Sequence, residues 1–122
     1  MTSQQYEALR EAGVDVATAL ERFMGNETLL LRFLGKFPAD PNHEKLVEAF
    51  AARDAEAALA ASHALKGVCG NLSLTALFRL FEEQVALLRA GDFDGAAGLL
   101  SHIEPLYRTT VAGIHSALEI PA

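Results

Sequence analysis

A histidine, a lysine one helical turn later and two glycines stand together in the run Ala61-Ser-His-Ala-Leu-Lys-Gly-Val-Cys-Gly-Asn-Leu72. A neutral imidazole offers a free ring nitrogen, which is a competent nucleophile toward phosphorus at neutral pH. An ammonium three residues along the same helix can swing beside it and offset charge on an incoming phosphoryl group. His63 and Lys66 are therefore the residues on which chemistry can rest.

The helix that carries them can be read from its apolar spacing. At about 3.6 residues per turn, Ala58, Ala61, Leu65, Val68 and Leu72 fall on one side with Cys69 at the edge of the stripe, which is the pattern of a core-facing helix. His63 then lies nearly opposite, flanked on the outer side by Ala60, Gly67 and Gly70. A glycine inside a helix costs roughly 1 kcal/mol relative to alanine. Glycines turned away from the core do nothing for packing, but they leave room for another surface to approach His63.

These residues resemble the signature of the histidine-containing phosphotransfer (HPt) domain: His63, Leu65, Lys66 and Gly67, then Gly70, Asn71 and Leu72. Gly13 through Phe37 is similar to the family's N-terminal helices, and Leu77, Leu80, Leu87 and Ala90-Gly-Asp-Phe93 resemble the helix and turn after its histidine. The chain departs from the family in carrying Ser73 and Leu74 where many members have Gly-Ala, and Val85 near a frequent Glu. The resemblance implies a phosphoryl carrier, with His63 phosphorylated and Lys66 assisting. Its partners would be response-regulator receiver domains and a hybrid histidine kinase, and magnesium would be held only by the receiver. The docking face so implied comprises Leu59, Ala60, Gly67, Gly70 and Asn71 on the histidine helix, with Phe78, Glu82 and Arg89 on the next. Val85 falls on the same stripe as Phe78, Glu82 and Arg89, off the core side, and the level of His63 is expected near residue 82.

The elements that must hold this helix are marked by caps and breakers. Thr2 with Gln5 can form a capping box for a first helix bearing Tyr6 and Leu9 and ending near Gly13. Asp15 and Asn26 can cap the next two, the latter with an apolar face of Leu29, Leu30, Phe33, Leu34 and Phe37 that stops at Pro38. Asp40-Pro41 restarts the chain toward Leu46, Val47 and Phe50, and Asp54 caps the histidine helix. Ser73 is expected to cap the helix of Leu77, Phe81, Gln84 and Leu88, which Gly91 ends. Gln84 interrupts that stripe and is expected to be a hydrogen-bonded core amide. From Asp92 a last helix runs through Leu99, Leu100, Ile103, Leu106, Val111 and Leu118, with Pro105 kinking it or marking its start.

The expected fold is all-α: an antiparallel up-down four-helix bundle with short additional N-terminal helices. One domain over 1–122 is expected, with the short helices at about 3–24 and the bundle at about 26–119. Of 122 residues, 51% are hydrophobic and 21% charged, a balance that belongs to a globular chain. A net charge of −6 with scattered lysines and arginines offers no basic stripe for nucleic acid or anionic membrane. One cysteine, Cys69, rules out an intramolecular disulfide and reads as an inert, half-buried thiol. No signal peptide, membrane-spanning run, Gly-rich phosphate loop or kinase motif is visible. The expectation is a cytoplasmic monomer that needs no cofactor and is not an autokinase.

Two other functions compete with phosphotransfer. A metal-binding helical bundle would have to use His43, His63, His102 and His115, yet no Glu-x-x-His pair occurs, and His115 with Glu119 is the one histidine-first pair at one-turn spacing. The other is a receiver-binding helical adaptor that carries no phosphate.

Overall fold

The computed structural model describes residues 1–121. Its helices are α1 (Ser3–Glu11), α2 (Val16–Arg22), α3 (Glu27–Lys36), α4 (Asn42–Ala51), α5 (Ala55–Asn71), α6 (Thr75–Arg89), α7 (Phe93–Gly98) and α8 (Leu100–Leu118). A 3-10 turn, Phe37–Ala39, joins α3 to α4. Among the described residues the fold is all-helical, and the one extended feature is an isolated antiparallel bridge between Val14 and Leu74.

Five helices start where a polar side chain takes up a free N–H group. Thr2 Oγ1 accepts from Gln5 N at 3.1 Å and Gln5 Oε1 accepts from Thr2 N at 3.0 Å, closing the capping box of α1. Asp15, Asn26, Asp54 and Asp92 accept from the backbone N–H groups of Thr18, Leu29, Ala57 and Gly95. The ends use a second device. Gly13, Met24, Arg53, Ser73 and Gly91 have φ between 54° and 108°, and each turns the chain out of its helix with the paired bonds of a Schellman motif.

Ser73 is thus the left-handed residue that ends α5, with its N–H donating to Gly70 O at 3.2 Å and that of Leu74 to Cys69 O at 2.9 Å. It does not cap α6 as its hydroxyl suggested; Leu74 occupies that position with no side-chain bond. The turn needs a left-handed residue more than it needs a cap. Serine in that conformation costs roughly 1–2 kcal/mol, and Ser73 Oγ is also buried without a hydrogen-bond partner.

Helices α5 and α6 run antiparallel, with Ser62 opposite Gln84 and Gly70 opposite Phe78. So do α1 and α8, where Gln5 Nε2 donates to Ile120 O at 3.3 Å and Gly113 stands against Ala12. α4 doubles back on α5 across Arg53, and Asp15 N–H donates to Ser73 O at 2.9 Å, tying the α1–α2 link to the α5–α6 turn. Leu30, Leu34, Phe37, Leu65, Phe81 and Ile114 are almost wholly buried between these elements. Each such side chain contributes about 1.5–3 kcal/mol through removal from water.

Several faces differ from the sequence pattern. On α5, Ser62 and Cys69 are fully buried beside Ala58, Ala61, Leu65 and Leu72, while Val68 is half-buried. α6 covers the Ser62–Cys69 flank, and a cleft opens beside Val68. Val85 stands outside the main apolar cluster, as its place on the wheel suggested, yet it is buried, because α6 is covered on a wider arc than its main stripe. Phe33 and Val47 are 43% and 41% exposed. Along the last segment Ile103, Tyr107, Thr110 and Ile114 fill the core, and Leu99, Leu100, Leu106, Val111 and Leu118 are half-buried. The helix expected to be continuous from Asp92 breaks at Leu99, between Gly98 and Leu100. Pro105 lies inside α8, where it removes one backbone bond, to the Ser101 carbonyl on an exposed turn that water can reach.

Two glycine-linked substitutions should move stability in opposite directions. A Cβ on Gly113 would sit 2.5 Å from Ala12 Cβ and 3.1 Å from its Cα, so Gly113→Ala should lower stability by about 1–3 kcal/mol as α1 is pushed off α8. Ser73→Gly removes both the left-handed strain and the unpaired hydroxyl and should raise stability by about 1 kcal/mol. Denaturant melts of the two variants check both signs.

Candidate functional site

The middle of α5 is held at a fixed rotation by buried hydrogen bonds. Ser62 Oγ donates to Gln84 Oε1 at 2.8 Å, and Gln84 Nε2 donates to the Ala96 carbonyl of α7 at 3.0 Å. Ser62, Gln84 and Ala96 have no exposed surface, so a rotation of α5 would strand polar groups at about 1–3 kcal/mol each. Gln84 is the hydrogen-bonded core amide that its position in the sequence called for. With Ser62 turned inward, the next residue is about 100° further round. His63 is accordingly exposed.

Around His63, Ala60, Gly67 and Asn71 are exposed, and Leu59, Lys66 and Gly70 are half-buried. On α6, Glu82 and Arg89 are exposed and Phe78 is half-buried. Gly70 and Phe78 meet across the α5–α6 pair, whereas Ala60 borders the groove toward α4 and Asn71 the cleft toward α3. Val85 does not join the exposed residues, being buried as described. The register set by Ser62 opposite Gln84 and Gly70 opposite Phe78 puts His63 level with the region of Gln84 and leaves Glu82 level with Lys66. Glu82 and Lys66 nevertheless form no ion pair, and among the described residues neither His63 nor Lys66 has an ion-pair partner.

The two glycines differ. A Cβ built on Gly67 meets no atom within 4 Å, whereas one on Gly70 comes to 3.2 Å from the Phe78 ring. Gly67 therefore leaves open space beside His63, and Gly70 admits the close approach of Phe78. Only the first behaves as a glycine kept clear for something outside the chain.

The other polar side chains singled out in the sequence lie elsewhere. His43 Nε2 is 2.8 Å from Glu104 Oε1, and its ring stacks on Tyr107 with centroids 3.9 Å apart and planes 6° from parallel. His102 and His115 are exposed on α8. Among the described residues no three His, Cys, Asp or Glu side chains gather as a metal site requires. Cys69 is fully buried rather than half-buried, and its thiol is pushed up to about 12, first by burial and then by the charge of Asp40. A thiol held protonated in this way is a poor nucleophile. Burial also pushes the Tyr107 hydroxyl up to about 12, with Asp40 adding to the effect.

Sequence reasoning missed Ser62. The signal was present as two polar residues interrupting the buried stripes of adjacent helices, Ser62 at the edge of one and Gln84 in the other, at levels that an antiparallel hairpin brings together. It also missed a cleft of about 660 Å³ that opens at the C-terminal end of α5, beside Val68 and Asn71. Among the described residues no helix is long and apolar enough to cross a membrane. Comparisons of the chain with models of protein families, with curated proteins and with solved structures find no match.

The geometry separates three small substitutions. Ser62→Ala strands Gln84 Oε1 in the core and should lower stability by about 1–3 kcal/mol. Gly67→Gln should melt no lower than the parent, since the added side chain enters open space and helix propensity improves by up to about 1 kcal/mol. Gly70→Gln should melt below Gly67→Gln, because Phe78 must move to admit it. Thermal melts of all three decide the order; if Gly67→Gln unfolds the protein, the outward placement of His63 is wrong.

Proposed function

We propose that this chain is a histidine phosphotransfer module, in which His63 accepts a phosphoryl group from the aspartyl phosphate of one receiver domain and passes it to the aspartate of another. The observation that carries the reading is an exposed imidazole, without an ion-pair partner among the described residues, on a helix face cleared by Gly67. A nucleophile kept for a protein-bound phosphate must stand clear of its own fold, since the phosphorus arrives on another protein's surface. The finer reading of the fold, an antiparallel up-down four-helix bundle with N-terminal helices packed on it, is supported by the antiparallel α5–α6 pair and by α4 folding back on α5.

In the transfer step the free imidazole nitrogen attacks phosphorus, an N–P bond forms, and the P–O bond to the receiver aspartate breaks. The carboxylate leaves with the bonding pair. Reversal of the step on a second receiver completes the relay. Lys66, on the same side of α5 three residues on, would set its ammonium against the phosphoryl oxygens as charge builds on them. Magnesium and the remaining electrostatic help would come from the receiver, so the chain acts as a carrier and needs no nucleotide. The open space at Gly67 would admit the receiver's loops, with Phe78, Glu82 and Arg89 of α6 along the flank of the contact.

The test is incubation with a phosphorylated receiver, followed by an assay for acid-labile, alkali-stable phosphate on this chain. His63→Ala should accept none while keeping its helical signal and melting temperature, because His63 is exposed. Substitution of His43, His102 or His115 should leave acceptance intact. Lys66→Ala should slow transfer roughly tenfold to a hundredfold, the rate equivalent of about 1.5–3 kcal/mol for a charge-assisted contact. Substantial label on His63→Ala would overturn the assignment. Receiver binding without any label on the parent chain would make the protein an adaptor.

A further inference from the structure

The cleft at the C-terminal end of α5 has a lining of which the phosphotransfer reading uses Asn71 alone. Its volume, about 660 Å³, lies in the range of small-molecule sites. Phe23 and Phe33 form aromatic walls over the almost wholly buried Phe37, and Arg22 and Lys36 stand on the same rim. Phe33 faces away from the buried side of α3, which is made by Leu30, Leu34 and the following Phe37. It remains 43% exposed, steadied by the Phe23 ring at 5.7 Å and by the Lys36 ammonium at 5.4 Å from its centroid.

The charges on this cleft do not cancel. Among the described residues neither Arg22 nor Lys36 forms an ion pair. The one carboxylate in the lining, Asp40, accepts from Asn42 N at 2.8 Å and Asn42 Nδ2 at 2.9 Å through Oδ1, and so faces the start of α4. A chain of net charge −6 therefore gathers two cations without ion-pair partners, against one carboxylate, around an open aromatic cleft. Guanidinium recognises a carboxylate bidentately, ammonium adds a point charge, and the rings take an apolar body out of water.

We propose that this cleft binds a small amphipathic carboxylate, with its apolar body against Phe23 and Phe33 and its carboxylate at Arg22 and Lys36. The charge complementarity selects against cationic and neutral amphiphiles of the same shape. This site includes neither His63 nor Lys66.

The experiment is an amide-resolved NMR titration of the full chain with decanoate below its micellar concentration, beside decanol and decyltrimethylammonium. Decanoate should give saturable shifts at Arg22, Phe23, Phe33 and Lys36 with a dissociation constant below about 1 mM, and the cationic amphiphile should bind at least roughly tenfold more weakly. Arg22→Ala combined with Lys36→Ala, both at exposed positions, should weaken decanoate roughly tenfold while leaving decanol unchanged. His63→Ala should bind decanoate as the parent does, which keeps failure here distinct from failure of the phosphotransfer reading. Absence of saturation, equal affinity for the cationic amphiphile, or indifference to the double substitution would overturn the proposal.

Discussion

The buried hydrogen bonds from Ser62 to Gln84 and from Gln84 to the Ala96 carbonyl fix which way α5 faces, and the candidate site follows from that rotation. Apolar burial alone tolerates some slip of a helix about its axis, because one alanine or leucine in the interface serves nearly as well as another. A hydroxyl and an amide with no exposed surface do not, since either one left unpaired in the core costs about 1–3 kcal/mol. The same two bonds join α5, α6 and α7. They hold the histidine helix against its neighbour and set the register by which Phe78 meets Gly70 and Glu82 lies level with Lys66.

Much of this fold was legible because its signals are local. Thr2 with Gln5, Asp15, Asn26 and Asp54 cap the helices they were expected to cap, each bond spanning three residues. The outward position of His63 was legible from helical period alone. What the sequence hid depends on neighbours distant in the chain. Serine carries no mark of a left-handed residue, so Ser73 reads as a cap until the α5–α6 turn is in place. Val85 looks peripheral on α6 until the packing covers it, and Gly113 looks incidental until Ala12 presses against it. The break at Leu99 lies between two glycine-weakened turns and Pro105, where no single residue dictates the stop.

The site and the cleft divide the surface by charge and exposure. His63 and Lys66 sit on a stripe of small residues with no carboxylate bound to either among the described residues, which suits the proposed transfer from another protein. His43, the histidine with a carboxylate partner, is stacked on Tyr107 and half-buried between α4 and α8. That contrast sets His43 aside; His102 and His115 are exposed like His63, and the ground for preferring His63 as the proposed phosphoryl acceptor is the open space that Gly67 leaves beside it.

The central claim is that phosphate can be placed on His63 without disturbing the bonds that orient α5. After transfer from a phosphorylated receiver, a phosphorus–proton correlation spectrum locates the phosphate, and amide exchange at Ser62 and Gln84 reports the core. The account predicts one phosphorus signal coupled to the ring protons of His63, with exchange protection at Ser62 and Gln84 unchanged. Phosphorus coupled to another histidine, or loss of protection at Ser62 and Gln84 on phosphorylation, would contradict it.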